Sequence, residues 1–148
     1  MSGYFGIGIF HGKTEQNLGT LWRSADQLGA DLIFTIGARY KKQGSDTYKT
    51  WRRIPLYNYA YFDDLLAHAP YDCPIVAVEM GGTDLRDFHH PKRCIYILGA
   101  EDHGLPPEVV ARCFGVVSLS ASRQLSFNVA VAGAIVMYDR FVKGASEL

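Results

Sequence analysis

Residues 94–107 read CIYILGAEDHGLPP. The first five residues are apolar and partly β-branched, which is typical of a buried strand. Gly99 and Gly104 then bound a short polar loop, and the Pro106–Pro107 pair opens a helix. In open α/β sheets, ligands bind at the carboxyl ends of the strands. We therefore expect a ligand at this loop.

The same strand-then-helix arrangement recurs on both sides of this unit. Apolar runs predict strands at residues 4–10, 31–37, 74–80, 94–99 and 115–119. Helical spacing of apolar residues predicts helices at 17–28, 61–69, 106–113 and 126–143. Asn17 or Thr14 can cap the first helix, and Gly29 can end it. The alternation predicts an α/β fold with helices on both faces of a mostly parallel sheet.

Length and composition predict one domain over residues 1–148, since the chain has 148 residues, 48% of them hydrophobic. The longest apolar run, 129–138, is half of the roughly twenty residues that a membrane span needs. The net charge is zero, the three cysteines form no CxxC pair, and the histidines show no metal spacing. We expect a soluble, cytoplasmic protein without a metal or a membrane segment.

The segment from Arg39 to Arg53 departs from this neutral balance. It carries a net charge of +5 with aromatic residues interleaved, a composition that suits phosphates and unpaired bases. A solvated surface is the alternative. The connection at 38–60 is also long for a βα loop, where about two to six residues are usual. The RNA-binding residues that this predicts are Arg39, Lys41, Lys42, Lys49, Trp51, Arg52 and Arg53.

Two polar residues are candidates for a functional site, Arg23 in the first helix and Glu101 in the loop already quoted. Residues 17–23 read NLGTLWR, and Arg23 lies off the apolar stripe of that helix. Its guanidinium could bind a phosphate at two points, or it is a solvated surface arginine. Glu101 lies between the two glycines of the loop after residue 98. Either this loop binds a ligand, or it is an ordinary turn between a strand and a helix.

The last connection, residues 119–128, reads LSASRQLSFN and is rich in small hydroxyl side chains. Ser126 or Asn128 could cap the final helix, cradle the polar edge of a cofactor, or do both. The helix that follows is apolar nearly all round. It therefore predicts either a subunit interface or a fully internal helix.

Taken in order, these stretches resemble the three motifs of the SpoU/TrmH branch of the SPOUT RNA methyltransferases. The first motif corresponds to NLGTLWR at 17–23, and the second to LGAEDHGL at 98–105. The third corresponds to Leu119 together with SFNVAVA at 126–132. The motifs occur in the family's order and at its spacing, over essentially the whole chain.

The resemblance implies an S-adenosylmethionine-dependent enzyme that methylates a ribose 2′-hydroxyl of RNA, with tRNA as the expected substrate. It also implies a deep C-terminal trefoil knot, a rare exception among folds, and a homodimer with sites at its interface. The alternatives are rRNA as the substrate, methylation of a base, and a non-catalytic RNA-binding relative. Asn17 and Arg23 match the ribose-methylating pattern, and Arg23 with Gly99, Glu101 and Asn128 favours an active enzyme.

The resemblance also assigns roles to individual residues. Arg23 is the expected catalytic arginine, which activates the 2′-hydroxyl with help from an RNA phosphate. Asn17 and Arg23 are both expected to reach toward the cofactor of the other subunit. The residues expected to shape the catalytic site with it are Asn17, Glu101, Ser126 and Asn128. Three loops are expected to hold the cofactor, through Val78, Glu79, Met80, Gly99, Gly104, Leu119, Leu125, Ser126 and Asn128.

Overall fold

The computed structural model describes residues 3–40, 53–123 and 125–147. Within them, six strands form one sheet in which every neighbouring pair is parallel. The strands are β1 (Tyr4–Phe10), β2 (Leu32–Ile36), β3 (Leu56–Tyr59), β4 (Ile75–Asp84), β5 (Arg93–Leu98) and β6 (Gly115–Ser118). Their order in the sheet is β3-β2-β1-β5-β4-β6. The helices are α1 (Glu15–Gln27), α2 (Phe62–His68), α3 (Pro107–Ala111) and α4 (Val129–Lys143).

The α/β class and the parallel sheet are confirmed, and each of the five predicted strands is present. The prediction of a continuous loop over 38–60 was wrong, because β3 lies within it and pairs with β2 at the edge of the sheet. Tyr57 and Asn58 at its centre are exposed. An edge strand with exposed polar and aromatic residues lacks the apolar run by which the buried strands were found. The knot stays a prediction.

Two apolar layers cover the sheet. Helices α1 and α4 pack on one face, and α2 and α3 cover the other. Gly6 and Gly8 of β1 point to the second face, where a Cβ would lie 2.5 Å from Leu32 Cδ1 and 2.4 Å from Phe34 Cδ2, respectively. Glycine is therefore needed at both positions so that the side chains of β2 can lie across β1.

A buried polar network fixes the C-terminal half of α4. Arg140 is 3% exposed and donates to the carbonyl of Pro91 and to the hydroxyl of Tyr96, at 2.6 and 3.1 Å. His90 is hydrogen-bonded through Nδ1 to the hydroxyl of Tyr96 and through Nε2 to Asp139 Oδ2, each at 2.7 Å. Burial lowers the pKa of His90, although the Asp139 carboxylate opposes this. The network holds α4 against the segment before β5 and so orients the whole helix.

Among the described residues, no helix is both long enough and apolar enough to cross a bilayer. Three or more His, Cys, Asp or Glu side chains placed to hold a metal ion are likewise not found in that part of the chain. Cys73, Cys94 and Cys113 are free.

Candidate active site

The site lies where the segments after β1 and β5 meet. These strands are neighbours, with Ile9 paired to Leu98, so the segments that leave them meet at one edge of the sheet. Thr14 is the N-cap of α1, and its hydroxyl accepts the N–H of Asn17 at 3.3 Å. Of the two predicted caps, Thr14 is therefore the one used. Asn17 lies in the first turn, where its side chain can contact other loops.

Glu101 connects the two segments. Its carboxylate accepts the backbone N–H groups of Lys13 and Thr14, at 3.0 and 3.3 Å, and the side-chain Nδ2–H of Asn17, at 2.8 Å. Partial burial opposes ionisation, but these hydrogen bonds outweigh it and lower the pKa of Glu101. The residue is therefore an ionised acceptor that organises the start of α1, and it is not poised as a proton donor.

Asn17 extends this arrangement to the third motif. Its Oδ1 accepts the Nδ2–H of Asn128 at 3.1 Å. The Oδ1 of Asn128 in turn accepts the N–H groups of Ala130 and Val131, as the N-cap of α4. A hydrogen-bonded chain therefore runs from Glu101 through Asn17 to Asn128 and joins all three motifs.

Ser126 does not cap the last helix. The helix was predicted to begin at residue 126, but it begins at Val129 and Asn128 occupies the cap. Ser126 is exposed, two residues before that cap. The asparagine is the stronger cap here because one side-chain oxygen reaches two orphan amides at once.

Arg23 is exposed on α1, as its position off the apolar stripe predicted. It follows Asn17 by six residues, so its Cα lies about 9 Å farther along the helix axis. Thr20 and Ser24, its neighbours on the helix surface, line a groove against α4. Arg23 is therefore an exposed residue of α1 whose neighbours on the helix line that groove.

The loop after β5 folds back on itself. Ala100 and Gly104 form an antiparallel bridge, and a Cβ at Gly99 would lie 2.4 Å from the carbonyl carbon of Gly104. Gly104 has a φ of +66°, and a Cβ there would lie 2.7 Å from Glu79 Oε2. A larger residue at Gly99 would thus disturb the loop even without a ligand, because backbone lies against backbone.

The three loops expected to hold the cofactor lie side by side. Val78 pairs with Leu98 of β5 and with Val117 of β6, so the chain leaves all three strands at one edge. Val78 and Leu119 are half-buried, and Leu119 packs on the core. Met80 and Leu125 are 70% and 75% exposed. The edge thus combines small-residue loops with exposed apolar side chains.

Two of the seven predicted RNA-binding residues are engaged within the protein. Arg39 holds Asp102 through two bonds of 2.6 and 3.1 Å, and its Nε–H donates to the carbonyl of His11. This pairing lowers the pKa of Asp102 to about 2. Arg53 lies 3.6 Å from Asp26. The other five residues, Lys41, Lys42, Lys49, Trp51 and Arg52, lie outside the described residues.

Tyr40, one of the interleaved aromatic residues, is half-buried against the core. Burial raises its pKa to about 12. Its ring therefore contributes to the fold, and it is not displayed as a stacking surface.

The final helix is not fully internal. Val131, Tyr138, Phe141 and Val142 are between 47% and 68% exposed. Between α1 and α4 runs a groove of about 590 Å³. Its lining is mostly apolar and consists of Thr20, Ser24, Leu85, Ala130, Val131, Ala134, Ile135, Tyr138, Asp139 and Val142. Of the two predictions for α4, the subunit interface is the one that agrees with this exposure.

Sequence reasoning missed part of the site. Lys13 and Thr14 bind Glu101 through their backbone amides, which leave no trace in side-chain type. Ser118 was also missed, although a hydroxyl at the end of a predicted strand was a signal that could have found it. Asp102 was not singled out either, and Arg39 holds it.

Comparison with known proteins places this geometry in a family. A model of the SpoU rRNA Methylase family matches residues 6–138. Comparison with curated proteins gives no significant match.

Three solved structures illustrate the likeness of fold. One, on the 2-OH methylation of C/U34 on tRNA, has a TM-score of 0.82 and 22% identity, over 97% of this chain and 99% of that one. The AdoMet-bound rRNA methyltransferase from Sinorhizobium meliloti has a TM-score of 0.78 and 23% identity, over 99% of this chain and 59% of that one. The SpoU methyltransferase AviRb from Streptomyces viridochromogenes, in complex with the cofactor AdoMet, has a TM-score of 0.79 and 21% identity, over 97% of this chain and 61% of that one.

The present chain thus spans about three fifths of two of these proteins and nearly all of the third. At these identities the likeness establishes the fold. The predicted cofactor agrees with the two structures that hold AdoMet. The three motifs meet in one hydrogen-bonded cluster, and the family model covers most of the residues that build it. The chain therefore belongs to the SpoU rRNA methylase family.

Proposed function

We propose that this protein transfers the methyl group of S-adenosylmethionine to a ribose 2′-hydroxyl of RNA, and that the RNA is a tRNA. The observation that carries the proposal is the chain of hydrogen bonds from Glu101 through Asn17 to Asn128. It brings residues of all three motifs together at the start of α1, the helix that also carries the exposed Arg23. A structural role alone would not require these three polar residues to meet at the carboxyl edge of the sheet.

The described loops fit this cofactor. Gly99 and Ala100 at the start of the loop after β5 and Gly104 near its end leave little side-chain bulk at those points of the backbone. Exposed Met80 and Leu125 supply apolar surface nearby, which suits an adenine ring. Val78 and Leu119 are half-buried at the same edge. We therefore assign the cofactor to three loops, namely the bulge within β4 after Val78 and the loops after β5 and β6.

The cofactor supplies a methyl group on a sulfonium, which an oxygen nucleophile accepts by in-line displacement. The protein must then place the 2′-hydroxyl and give its proton a destination, and neither task requires a metal. The Arg23 guanidinium can hold an RNA phosphate at two points and so orient the neighbouring ribose. Glu101, ionised and occupied by three donors, keeps the start of α1 in place for this.

We also propose a homodimer built on the groove between α1 and α4. The exposed apolar side chains of α4 include Tyr138 and Phe141, 58% and 68% exposed. Arg23 lies between Thr20 and Ser24, which line the groove. A second subunit seated there brings its own loops toward Arg23, so the complete site contains residues of both subunits. The trefoil knot and a cytoplasmic location belong to the same proposal, as properties that the resemblance implies.

A tRNA substrate is favoured over rRNA by the extent of the match. The structure concerned with C/U34 of tRNA is matched over 99% of its length, whereas the AdoMet-bound rRNA methyltransferase is matched over 59%. The likeness to the first structure therefore includes nearly all of it, and the likeness to the second concerns one part of it. Ribosomal RNA stays the second candidate, because the family carries its name.

The test uses the purified protein, methyl-labelled S-adenosylmethionine, and tRNA or rRNA from cells that lack this protein, because their RNA keeps the target 2′-hydroxyl free. A 2′-O-methyl group removes the nucleophile of alkaline cleavage, so labelled tRNA should give alkali-stable dinucleotides. Label found in single nucleotides after alkali would indicate base methylation and contradict the proposal. Label confined to rRNA would show that rRNA is the substrate and would leave the proposed reaction unchanged.

Arg23 is tested separately. Arg23→Ala should abolish methyl transfer and leave affinity for S-adenosylhomocysteine within about twofold, because the side chain acts on RNA. Arg23→Lys, the matched control, keeps the charge but loses the two-point geometry and should restore only part of the rate. Wild-type rates in Arg23→Ala would refute its role.

The shared site can be tested by co-expressing Arg23→Ala with Gly99→Val. A mixed dimer then combines the intact loops of one chain with the intact arginine of the other. We expect activity in the mixed dimer and none in either variant alone. An inactive mixed dimer would mean that each subunit uses its own arginine.

A further inference from the structure

The hydroxyl of Ser118 closes an irregularity in the sheet. The register between β4 and β6 shifts between Val78 and Thr83. Within this bulge, Ser118 Oγ donates to the carbonyl of Glu79 at 2.6 Å and accepts the N–H of Gly82 at 2.7 Å. One hydroxyl therefore satisfies a donor and an acceptor that the ladder leaves unpaired.

The carboxylate of Glu79 extends the same connection to the loop after β5. Its Oε1 accepts the N–H of Met80 at 2.9 Å, and its Oε2 accepts the N–H of Leu105 at 2.8 Å. Gly104 lies so close that a Cβ there would come within 2.7 Å of Oε2. Glu79 therefore connects the bulge within β4 to the end of the loop after β5.

Together, these two side chains link all three loops assigned to the cofactor. Ser118 is the last residue of β6, directly before Leu119, and Glu79 lies in the bulge of β4. Both oxygens of the Glu79 carboxylate already accept protein amides. The carboxylate is therefore directed toward the protein, and the cofactor contact that the resemblance implies near Glu79, largely through backbone groups, stays a prediction.

We propose that Ser118 and Glu79 are positioning residues that set the spacing of the three cofactor loops before the cofactor binds. The inference rests on the proposed function. A cradle that is already ordered loses less conformational entropy on binding. Releasing either residue should therefore weaken cofactor affinity, and releasing Ser118 should leave the rate at saturating cofactor nearly unchanged.

The test measures S-adenosylhomocysteine binding by calorimetry, without RNA, together with methyl-transfer kinetics. Ser118→Ala loses two hydrogen bonds and should weaken binding by up to about 25-fold, since one such bond contributes about a factor of five. Its kcat should stay within about twofold, and the KM for S-adenosylmethionine should rise with the dissociation constant. Ser118→Thr keeps the hydroxyl and should restore affinity.

Thr35→Val is the matched control. The Thr35 hydroxyl is buried and donates to Asn58 Oδ1 at 2.8 Å, between β2 and β3. Its loss should lower the melting temperature and leave affinity for the cofactor product unchanged. A purely structural role of Ser118 would give this same result.

Glu79 provides an independent series. Glu79→Ala removes both acceptors, whereas Glu79→Gln keeps one and should weaken binding less. Hydrogen exchange at the Leu105 and Gly82 amides should speed up in Glu79→Ala and Ser118→Ala, respectively. Wild-type affinity in both alanine variants would overturn the inference and leave the proposed function standing. Wild-type protein that binds no S-adenosylhomocysteine would overturn the proposed function first.

Discussion

Asn17→Asp is the sharpest perturbation of the active-site cluster, because it changes one atom that faces a carboxylate. Asn17 Nδ2 donates to Glu101 Oε2 at 2.8 Å, while its Oδ1 accepts from Asn128. The substitution keeps the acceptor for Asn128 and replaces the donor with a carboxylate oxygen. Two like charges then face each other at hydrogen-bond distance.

The magnitude follows from that distance. At 2.8 Å, two unit charges repel by about 6 kcal/mol with an effective dielectric constant of about 20. Both side chains are partly exposed, and solvent screening with small rotations should halve this to about 3 kcal/mol. For a chain of this size, the melting temperature should fall by about 6–12 °C at pH 8.

The pH dependence identifies the cause. In Asn17→Asp, one proton shared by the two carboxylates relieves the repulsion, so the pKa of the pair is raised above its unfolded value. The stability that this proton restores is present at low pH and is lost as pH rises through the raised pKa. The difference in melting temperature from wild type should therefore be small at pH 5 and grow toward pH 8.

Asn58→Asp is the control. It adds the same charge at an exposed position whose Oδ1 accepts from Thr35, so the acceptor is kept and no carboxylate is opposed. We expect little change at any pH. If Asn17→Asp lost stability equally at pH 5 and pH 8, repulsion by Glu101 would be the wrong explanation.

Two further predictions concern packing and titration. Gly133→Ala places a Cβ 2.5 Å from Leu21 Cδ1 and should lower the free energy of unfolding by about 1–3 kcal/mol in urea titrations. Gly19→Ala meets nothing within 4 Å and should raise it by about 0.5–1 kcal/mol, so equal effects would refute the packing argument. Because burial lowers the pKa of His90, the stability that the neutral imidazole contributes is full above its ordinary pKa of 6.5 and is lost as pH falls from there through the lowered pKa. Melting temperatures between pH 7.5 and 5.5 should show this decline, more weakly in His90→Asn; a flat wild-type profile would contradict it.

Much of the fold could be predicted because buried parallel strands are nearly continuous apolar runs. Tyr4–Phe10, for example, was located with the bounds that the structure gives. The strand Leu56–Tyr59 was missed because an edge strand needs little burial, so its pattern resembles a loop. The extension of β4 to Asp84 was missed because it lies beyond a bulge at two glycines.

The candidate site was predicted in its residues and not in its connections. Asn17, Glu101 and Asn128 were each chosen for a local reason, such as a cap or a glycine-bounded loop. Nothing local indicates that Asn17 joins the other two over sequence separations of 84 and 111 residues. Arg39 shows the converse. Its charge suggested RNA binding, but its side chain pairs with Asp102, which lies 63 residues away in the sequence.

The position of β1 in the sheet has a consequence for synthesis on the ribosome. β1 is translated first, yet it lies between β2 and β5. Its pairing with β2 can form early, whereas β5 is completed about 60 residues after β2, which takes about 3–12 s at ordinary translation rates. During that interval, one edge of an apolar strand is open to any other nascent chain. Cells that make this protein quickly should therefore need a chaperone to shield the N-terminal third until residue 98 has left the exit tunnel.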